Sequence, residues 1–465
     1  MNDHWKKIEE FQFEKSPQEY GFEVRLAYEN GWMEWMTQQA ILEYKKFMYL
    51  VSISSEMLSP SYIVDIVWHQ HLIYSESYSK LGKILGKEVK HIPSTHDFEE
   101  QSSFVEAFAN TEKIYKEHFD ESGWQFWEIK KDSDLMRFTT RKNSIIRIET
   151  ILILGTLLFS LLLFFPLRPL LLKIENPFFV IFYLLTFLLV FFGCRDGLQV
   201  YLKSVFKEKG GLLIENLSVN EKIILKTKST KGIMELTLFK LVEEQQLKII
   251  DKKFTIIHKR ISKDVLEKAV RNSFLKTEFI GYHDLVKKVS VKNCFLQYSK
   301  STQKIATHIK SSDEFRKLEN LVAVLFSILL SIGICRLILG ISRGRPVFVL
   351  EFVLVLSIIL IFYYFKAVMP KVISNSLVQF MKDQYKPQNY TSGIDINIAY
   401  LMLGSLAFDT EFVDYITNSE LEKEAARSLS NSSSGDGSSS SDSSCGSSSG
   451  SSCGSSCGGC GGGGD

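Results

Sequence analysis

The chain has 465 residues, a formal net charge of +2 and seven cysteines. That length leaves room for two or three modules besides any membrane part, and the cysteine placement excludes a disulfide framework: Cys194, Cys294 and Cys335 are scattered and the other four crowd the tail. The near-neutral sum hides an acidic stretch over residues 1–146 and a basic one between Leu202 and Lys317, which suits anionic lipid or nucleic acid.

The opening segment, MNDHWKKIEEFQFE, contains no apolar run, so no cleavable signal peptide is expected and residues 1–143 read as a helical cytoplasmic domain. Trp32–Ser52 carries Met36, Ala40, Leu42, Phe47 and Leu50 along a helical face. Ser59-Pro60 reads as a cap followed by proline, opening one helix from Ser61 to Leu85 that Gly86 stops. A third helix is expected over Phe104–Phe119.

Within this domain Asp65, Trp68, His69, His71, His91 and His96 carry the chemistry. On a helix His69 and His71 stand about 200° apart, so they face opposite ways and cannot share one ion. Asp65 and His69, four residues apart, do share a face, and the loop after Gly86 delivers His91. The reading favoured is a structural histidine network tying helix to loop, with Asp65 orienting His69 and His91 delivered by the loop. The alternatives are a metal site at Asp65, His69 and His91, with zinc as the candidate ion, and a catalytic use of the same groups.

The stretch YIVDIVWHQHLIYSESYSKLGKILGKEVKHIPS, with EYKKFMYL before it and EKIYKEHF after it, resembles the glycine-rich-domain-containing-protein-like family over roughly residues 30–128. Asp65, Trp68, His69, His71, Leu72, Tyr78, Gly86 and His91 occupy the motif positions. The resemblance implies a helical interaction module, with Trp68, His71, Tyr78 and Gly86 as its structural residues.

Further along, Thr150–Leu167 and Pro177–Cys194 are apolar on all sides and read as a transmembrane hairpin over residues 145–200. A second hairpin over 319–366 is built from the run beginning at Leu321 and from Val347–Phe365. Flanking Arg and Lys are concentrated on the side of the termini and of the 203–317 segment, which puts those parts in the cytoplasm. Arg336 and Glu351 fall at similar depth below the outer turn, and the expectation is an intramembrane pair, against independent snorkelling.

Between the hairpins, residues 203–317 read as helix, helix, hairpin: Val219–Thr227, Gly232–Gln246, then two short strands around Asp251-Lys252-Lys253, with Ser262 capping a further helix. This order suggests a basic winged-helix-like module. Residues 367–427 form a C-terminal helical segment, and 428–465 is a Ser/Gly/Cys-rich tail expected to be disordered. Cys445, Cys453, Cys457 and Cys460 have the spacing of a metal clip, set against a plain low-complexity tail. Residues 145–465 also resemble, by element order and tail composition, an uncharacterised bacterial multi-span membrane-protein family, which implies a bacterial inner membrane.

The fold expected is therefore mainly α. The function expected is a multi-pass scaffold or sensor that contacts lipid and cytoplasmic protein partners. No P-loop, GxSxG or HExxH motif argues for an enzyme. The alternatives are a metal-dependent membrane enzyme using Asp65, His69 and His91, or a membrane-tethered nucleic-acid binder.

Overall fold

The structure is a computed structural model describing residues 3–14, 21–92, 98–130, 134, 138, 147–257, 264–384, 395–432 and 461–463. It begins with α1 (Asp3–Glu9), α2 (Phe22–Asn30), α3 (Glu34–Ile53), α4 (Tyr62–Leu72), α5 (Ser75–Leu85), a strand β1 (Lys90–Ile92) and α6 (Phe98–His118). The long helices α7 (Ile148–Lys173) and α8 (Asn176–Lys209) follow. Next come α9 (Gly211–Glu215), α10 (Val219–Thr227), α11 (Lys231–Glu243), the hairpin β2 (Leu247–Ile250) and β3 (Lys253–Ile256), α12 (Val265–Arg271), α13 (Tyr282–Val289) and α14 (Asn293–Ser311). Long helices return with α15 (Asp313–Ser342), α16 (Phe348–Tyr363) and α17 (Met369–Gln384), and α18 (Ile396–Leu403) and α19 (Thr410–Ser432) close the helical part. Gly461–Gly463 (β4) pairs with β1.

These elements divide into two compact units that cut across the sequence-expected modules. One unit combines 1–132, 218–301 and 391–465; the other combines 133–217 and 302–390. Residues 1–132 of the N-terminal domain, 218–301 of the middle module and 391–465 of the C-terminal part thus fall in one compact unit.

In that body α3 is the central helix, with Tyr44, Phe47, Met48 and Leu50 fully buried. Burying a large apolar side chain contributes about 1.5–3 kcal/mol, so this stripe dominates the local stability. Buried Glu43 on the same helix accepts from Tyr115 Oη at 2.9 Å, Trp127 Nε1 at 2.8 Å and Lys46 Nζ at 2.8 Å. A buried carboxylate needs such a full set of donors. The middle segment attaches through Glu221, which closes a capping box on α10 with Ser218 and also accepts the backbone N–H of Glu34, at the start of α3, at 2.9 Å. Burial pushes the Glu221 carboxyl up to about 7. The C-terminal segment attaches through aromatic stacking: Phe408 lies 4.6 Å from Phe239 of α11, with Tyr400 4.8 Å beyond it. Glu235 on α11 accepts from Tyr282 Oη at 2.7 Å and Tyr400 Oη at 3.2 Å.

Several sequence expectations shift here. The expected helix 61–85 is two helices, broken at Ile73-Tyr74, where Tyr74 leaves helical geometry with ψ of 64°. The cap of α4 is Ser61, whose Oγ accepts from Val64 N at 3.3 Å, and not Ser59 before Pro60. Gly86 does stop α5, in the left-handed conformation at φ 69° that disfavours a Cβ. Asp264, not Ser262, caps α12 with bonds to Leu266 N and Glu267 N, while Ser262 lies outside the described residues. Helix α19 runs to Ser432, past the expected start of the tail, and Cys445, Cys453, Cys457 and Cys460 lie outside the described residues.

The other unit holds four helices long and apolar enough to cross a membrane. They outrun the expected spans. α8 alone has 34 residues, or about 51 Å at 1.5 Å per residue against a hydrocarbon layer of about 30 Å. α16 likewise continues through a π-helical turn at Tyr364–Val368 into α17. The helices are joined across the hairpins by a seam between α7 and α15. Ser331 Oγ donates to Thr156 O at 2.9 Å, flanked by Ser327 Oγ to Leu152 O and Cys335 Sγ to Ser160 O, both at 3.4 Å. All three pairs have the same sequence offset, so the two helices run parallel and in step. Gly155 sits in this seam: a Cβ there would meet Ser327 Oγ at 2.9 Å.

The expected Arg336–Glu351 pair does not form. Arg336 donates instead to the carbonyls of Leu171 and, at 2.7 Å, Ile174, at the C-terminal end of α7, and its guanidinium stacks 5.4 Å from the Phe179 ring. The carbonyls that end a helix lack intrahelical partners, so a cation there meets both acceptors and the negative end of the dipole. Glu351 is exposed and makes no ion pair among the described residues. Arg336→Leu therefore costs about 1–3 kcal/mol of helix-bundle stability through the stranded carbonyls, and Glu351→Gln less than about 0.5 kcal/mol. Unfolding of the full chain in lipid nanodiscs measures both; equal effects would reinstate the pair.

Candidate metal centre

The candidate centre is assembled by one helix turn and one returning strand. Ser61 starts α4, which places Asp65 and His69 on the same face one turn apart. The left-handed stop at Gly86 turns the chain back, and β1 returns His91 to that face. His69 Nδ1 lies 3.2 Å from Asp65 Oδ2, and His91 Nε2 lies 3.2 Å from Asp65 Oδ1. One carboxylate thus faces two imidazoles, whose ring centroids are 4.3 Å apart. One donor atom from each residue falls in a set spanning no more than 4.8 Å. Two ligands at about 2.05 Å from a tetrahedral ion stand about 3.3 Å apart, so this spacing fits zinc as well as it fits N–H···O bonds to the carboxylate. The His69 side chain is 41% exposed, leaving one side of the set open to solvent.

Trp68 and Tyr78 hold this arrangement in place. Trp68 Nε1 donates to Tyr78 Oη at 3.0 Å, and Tyr78 Oη donates to Val89 O at 2.7 Å, two residues before His91. The Trp68 ring also packs edge-on against His91 at 4.6 Å. The chain carrying His91 is therefore tied to α4 by a relay of side chains, the kind of outer support that fixes a ligand's orientation.

His71 does something else. It points away from the centre, is fully buried, and bonds Tyr44 Oη at 2.8 Å through Nδ1 and Ser77 Oγ at 3.0 Å through Nε2. Phe13 and Phe22 pack against its ring. Burial holds its pKa down to about 3, so the ring is neutral. The HxH pair thus divides into one ligand candidate and one core residue, as helical geometry requires. Tyr44, Ser77 and the Val89 carbonyl are the supporting groups that the sequence did not single out; the i, i+6 placement of Ser77 after His71 was a weak signal for one of them. His96 lies outside the described residues.

No family model matches the chain. Two proteins of Arabidopsis thaliana are similar to part of it. Glycine-rich domain-containing protein 2 is 29% identical over 109 residues, 22% of this chain and 14% of that protein. Glycine-rich domain-containing protein 1 is 29% identical over 97 residues, 20% of this chain and 12% of that protein. The chain thus spans only a small fraction of the length of the curated relatives it matches. No solved structure matches. The relatives are plant proteins, and the resemblance drawn for residues 145–465 to a bacterial membrane-protein family finds no match in these comparisons.

The neutral state of His71 has a consequence with a definite sign. Between pH 6.5 and about 3 the unfolded chain binds a proton on this imidazole that the folded chain does not, so stability falls as pH falls through that window. The slope is at most about 1.4 kcal/mol per pH unit. His71→Gln lowers stability at neutral pH through its lost bonds yet flattens the acid slope. Hydrogen exchange of the α3 and α4 amides as a function of pH measures both, and an unchanged slope would contradict the neutral buried ring.

Proposed function

We propose that the chain is a membrane-anchored scaffold or sensor whose water-facing unit takes a divalent ion, zinc first, at Asp65, His69 and His91. The observation that carries this reading is the carboxylate shared by two imidazoles, with the donor atoms within 4.8 Å of one another and one side open. A bound ion supplies a Lewis acid with room for a water or a partner's ligand atom. The chain's own residues orient it: Trp68 and Tyr78 position His91, and Asp65 fixes the two rings. Three ligands with an open position suit reversible occupancy, which is what a sensor needs. A metal-dependent enzyme would use the same open position on a substrate.

The side of the membrane follows from the flanking charges, which are denser beside the termini and the 203–317 segment than in the hairpin turns; this supports a cytoplasmic location in a plasma membrane. The order α10, α11, β2, β3 supports a winged-helix-like module used for protein contact. Nucleic acid is disfavoured, because the hairpin tip already has a partner: Lys252 Nζ lies 2.5 Å from Glu422 Oε1, and Tyr415 Oη donates to Lys252 O at 3.0 Å.

Full chain purified in nanodiscs and dialysed against zinc is expected to retain about one ion per chain at the centre. His69→Ala or His91→Ala removes it, whereas Glu351→Gln does not. Elemental analysis gives the stoichiometry, and cobalt substitution reports a four-coordinate N/O set by its visible absorption. Failure to hold stoichiometric zinc or cobalt sinks the proposal. Zinc-dependent turnover of a screened hydrolysable substrate would move the reading to the enzyme.

A further inference from the structure

In the unit made of residues 133–217 and 302–390, α8 and α15 run antiparallel: Phe187 lies 5.8 Å from Phe326 and, farther out, Lys209 Nζ donates to Glu314 Oε1 at 2.8 Å. Between these two contacts the helices leave a groove of about 440 Å³, from Leu189 to Tyr201 on α8 and from Leu318 to Leu325 on α15. Leu198 and Val322 in it are buried, whereas Leu189, Leu321 and Leu325 are exposed. No charged side chain is among the described residues that line it, and the Tyr201 hydroxyl stands at its outer end. From Leu189 to Tyr201 the helix rises about 18 Å, close to the roughly 15 Å of hydrocarbon in one leaflet. The groove starts within the apolar run that ends at Cys194 and passes the first charges, Arg195 and Asp196, so it crosses from hydrocarbon depth to headgroup level.

Two further observations point to an occupant from outside the chain. Gly193 and Gly197 line the groove, and a Cβ at either would meet nothing within 4 Å. The other glycines of these long helices serve the chain's own packing: a Cβ would meet Ser327 Oγ at 2.9 Å from Gly155, the Tyr183 ring at 3.2 Å from Gly333 and Val347 Cγ1 at 2.5 Å from Gly340. The second observation is a cation. Lys317 lies one turn outward of Leu321 on the same face of α15, is exposed, and makes no ion pair among the described residues. Its neighbours at this end are already paired, Arg195 with Asp196, Lys203 with Asp383 and Lys209 with Glu314.

We propose that this groove holds one anionic phospholipid. An acyl chain lies over Gly193 and Gly197, and the phosphate at the outer end accepts from Lys317 Nζ and from the Tyr201 hydroxyl. A basic group at the mouth of an apolar groove between membrane helices favours an anionic headgroup, and a tyrosine at this level keeps its ring in the apolar layer and its hydroxyl among polar groups. A second copy of the chain is the poorer occupant, because two-fold pairing brings like groups together and the lining offers no carboxylate to meet the copy's Lys317. The site rests on the four long helices lying in a bilayer, and none of its residues belongs to the metal centre.

Native mass spectrometry of the full chain in detergent, titrated with dipalmitoyl phosphatidylglycerol or with dipalmitoyl phosphatidylcholine as the zwitterionic control, tests it. One phosphatidylglycerol per chain is expected to be retained in preference to phosphatidylcholine. Gly197→Leu, which adds a side chain where the groove is open, weakens retention of phosphatidylglycerol at least about tenfold. Gly193→Leu carries the same expectation should Gly197→Leu fail to fold. Lys317→Gln weakens phosphatidylglycerol several-fold and leaves phosphatidylcholine unchanged, so the preference is lost. Leu161→Phe, on an exposed face of α7 outside the groove, and His69→Ala at the metal centre change neither lipid. Equal retention of the two lipids, retention untouched by the glycine changes, or a dimer of the chain that Gly197→Leu dissociates in the absence of lipid would overturn the proposal. A chain that stays dispersed without detergent or lipid overturns the membrane reading as well; one that needs detergent yet keeps no phosphatidylglycerol overturns this inference alone.

Discussion

The seam between α7 and α15 is the constraint on which the membrane unit depends. Within lipid there is no hydrophobic gain from bringing two apolar helices together, so close packing and hydrogen bonds must do it. Ser327, Ser331 and Cys335 supply donors to backbone carbonyls of α7, and Gly155 lets the backbones approach. Because the two helices run parallel, the chain enters both hairpins from the same side.

The unit made of residues 1–132, 218–301 and 391–465 is held by buried carboxylates that join elements distant in sequence. Glu43 gathers Tyr115 and Trp127 onto α3, Glu221 joins α10 to the first turn of α3, and Glu235 collects tyrosines from α13 and α18. Each acts as a multi-acceptor hub whose donors come from different parts of the chain. Such groups are costly to bury and only a full set of partners offsets the cost, so they specify which segments belong together.

What the sequence made legible follows from how local the signal is. The four apolar helices were readable because their all-round hydropathy has no competing explanation over some twenty residues. The face shared by Asp65 and His69, and the opposite orientation of His71, follow from helix geometry alone. What was not legible is long-range partner choice. Ser331 in a span looks like any small residue, and nothing local says that it faces Thr156. Glu221 is recognisable as a capping-box residue, but its second oxygen binding the backbone of Glu34 is not. Around Arg336 the sequence shows only the nearest opposite charge, whereas a helix end offers acceptors that carry no letter in the sequence. Apolar periodicity runs through the break at Tyr74 and hides it.

The three-segment construction of the unit that holds the candidate metal centre also dictates an order of events during synthesis. Residues 1–132 leave the ribosome first, yet Glu34 has no Glu221 to bond until a hairpin has been inserted. Phe239 likewise has no Phe408 to stack on until the second hairpin is in place. Completion of this body therefore waits until all three of its segments have been made. A chain with a mis-inserted hairpin leaves the first turn of α3 and the aromatic face of α11 uncovered, the kind of exposed surface that chaperones and proteases act upon.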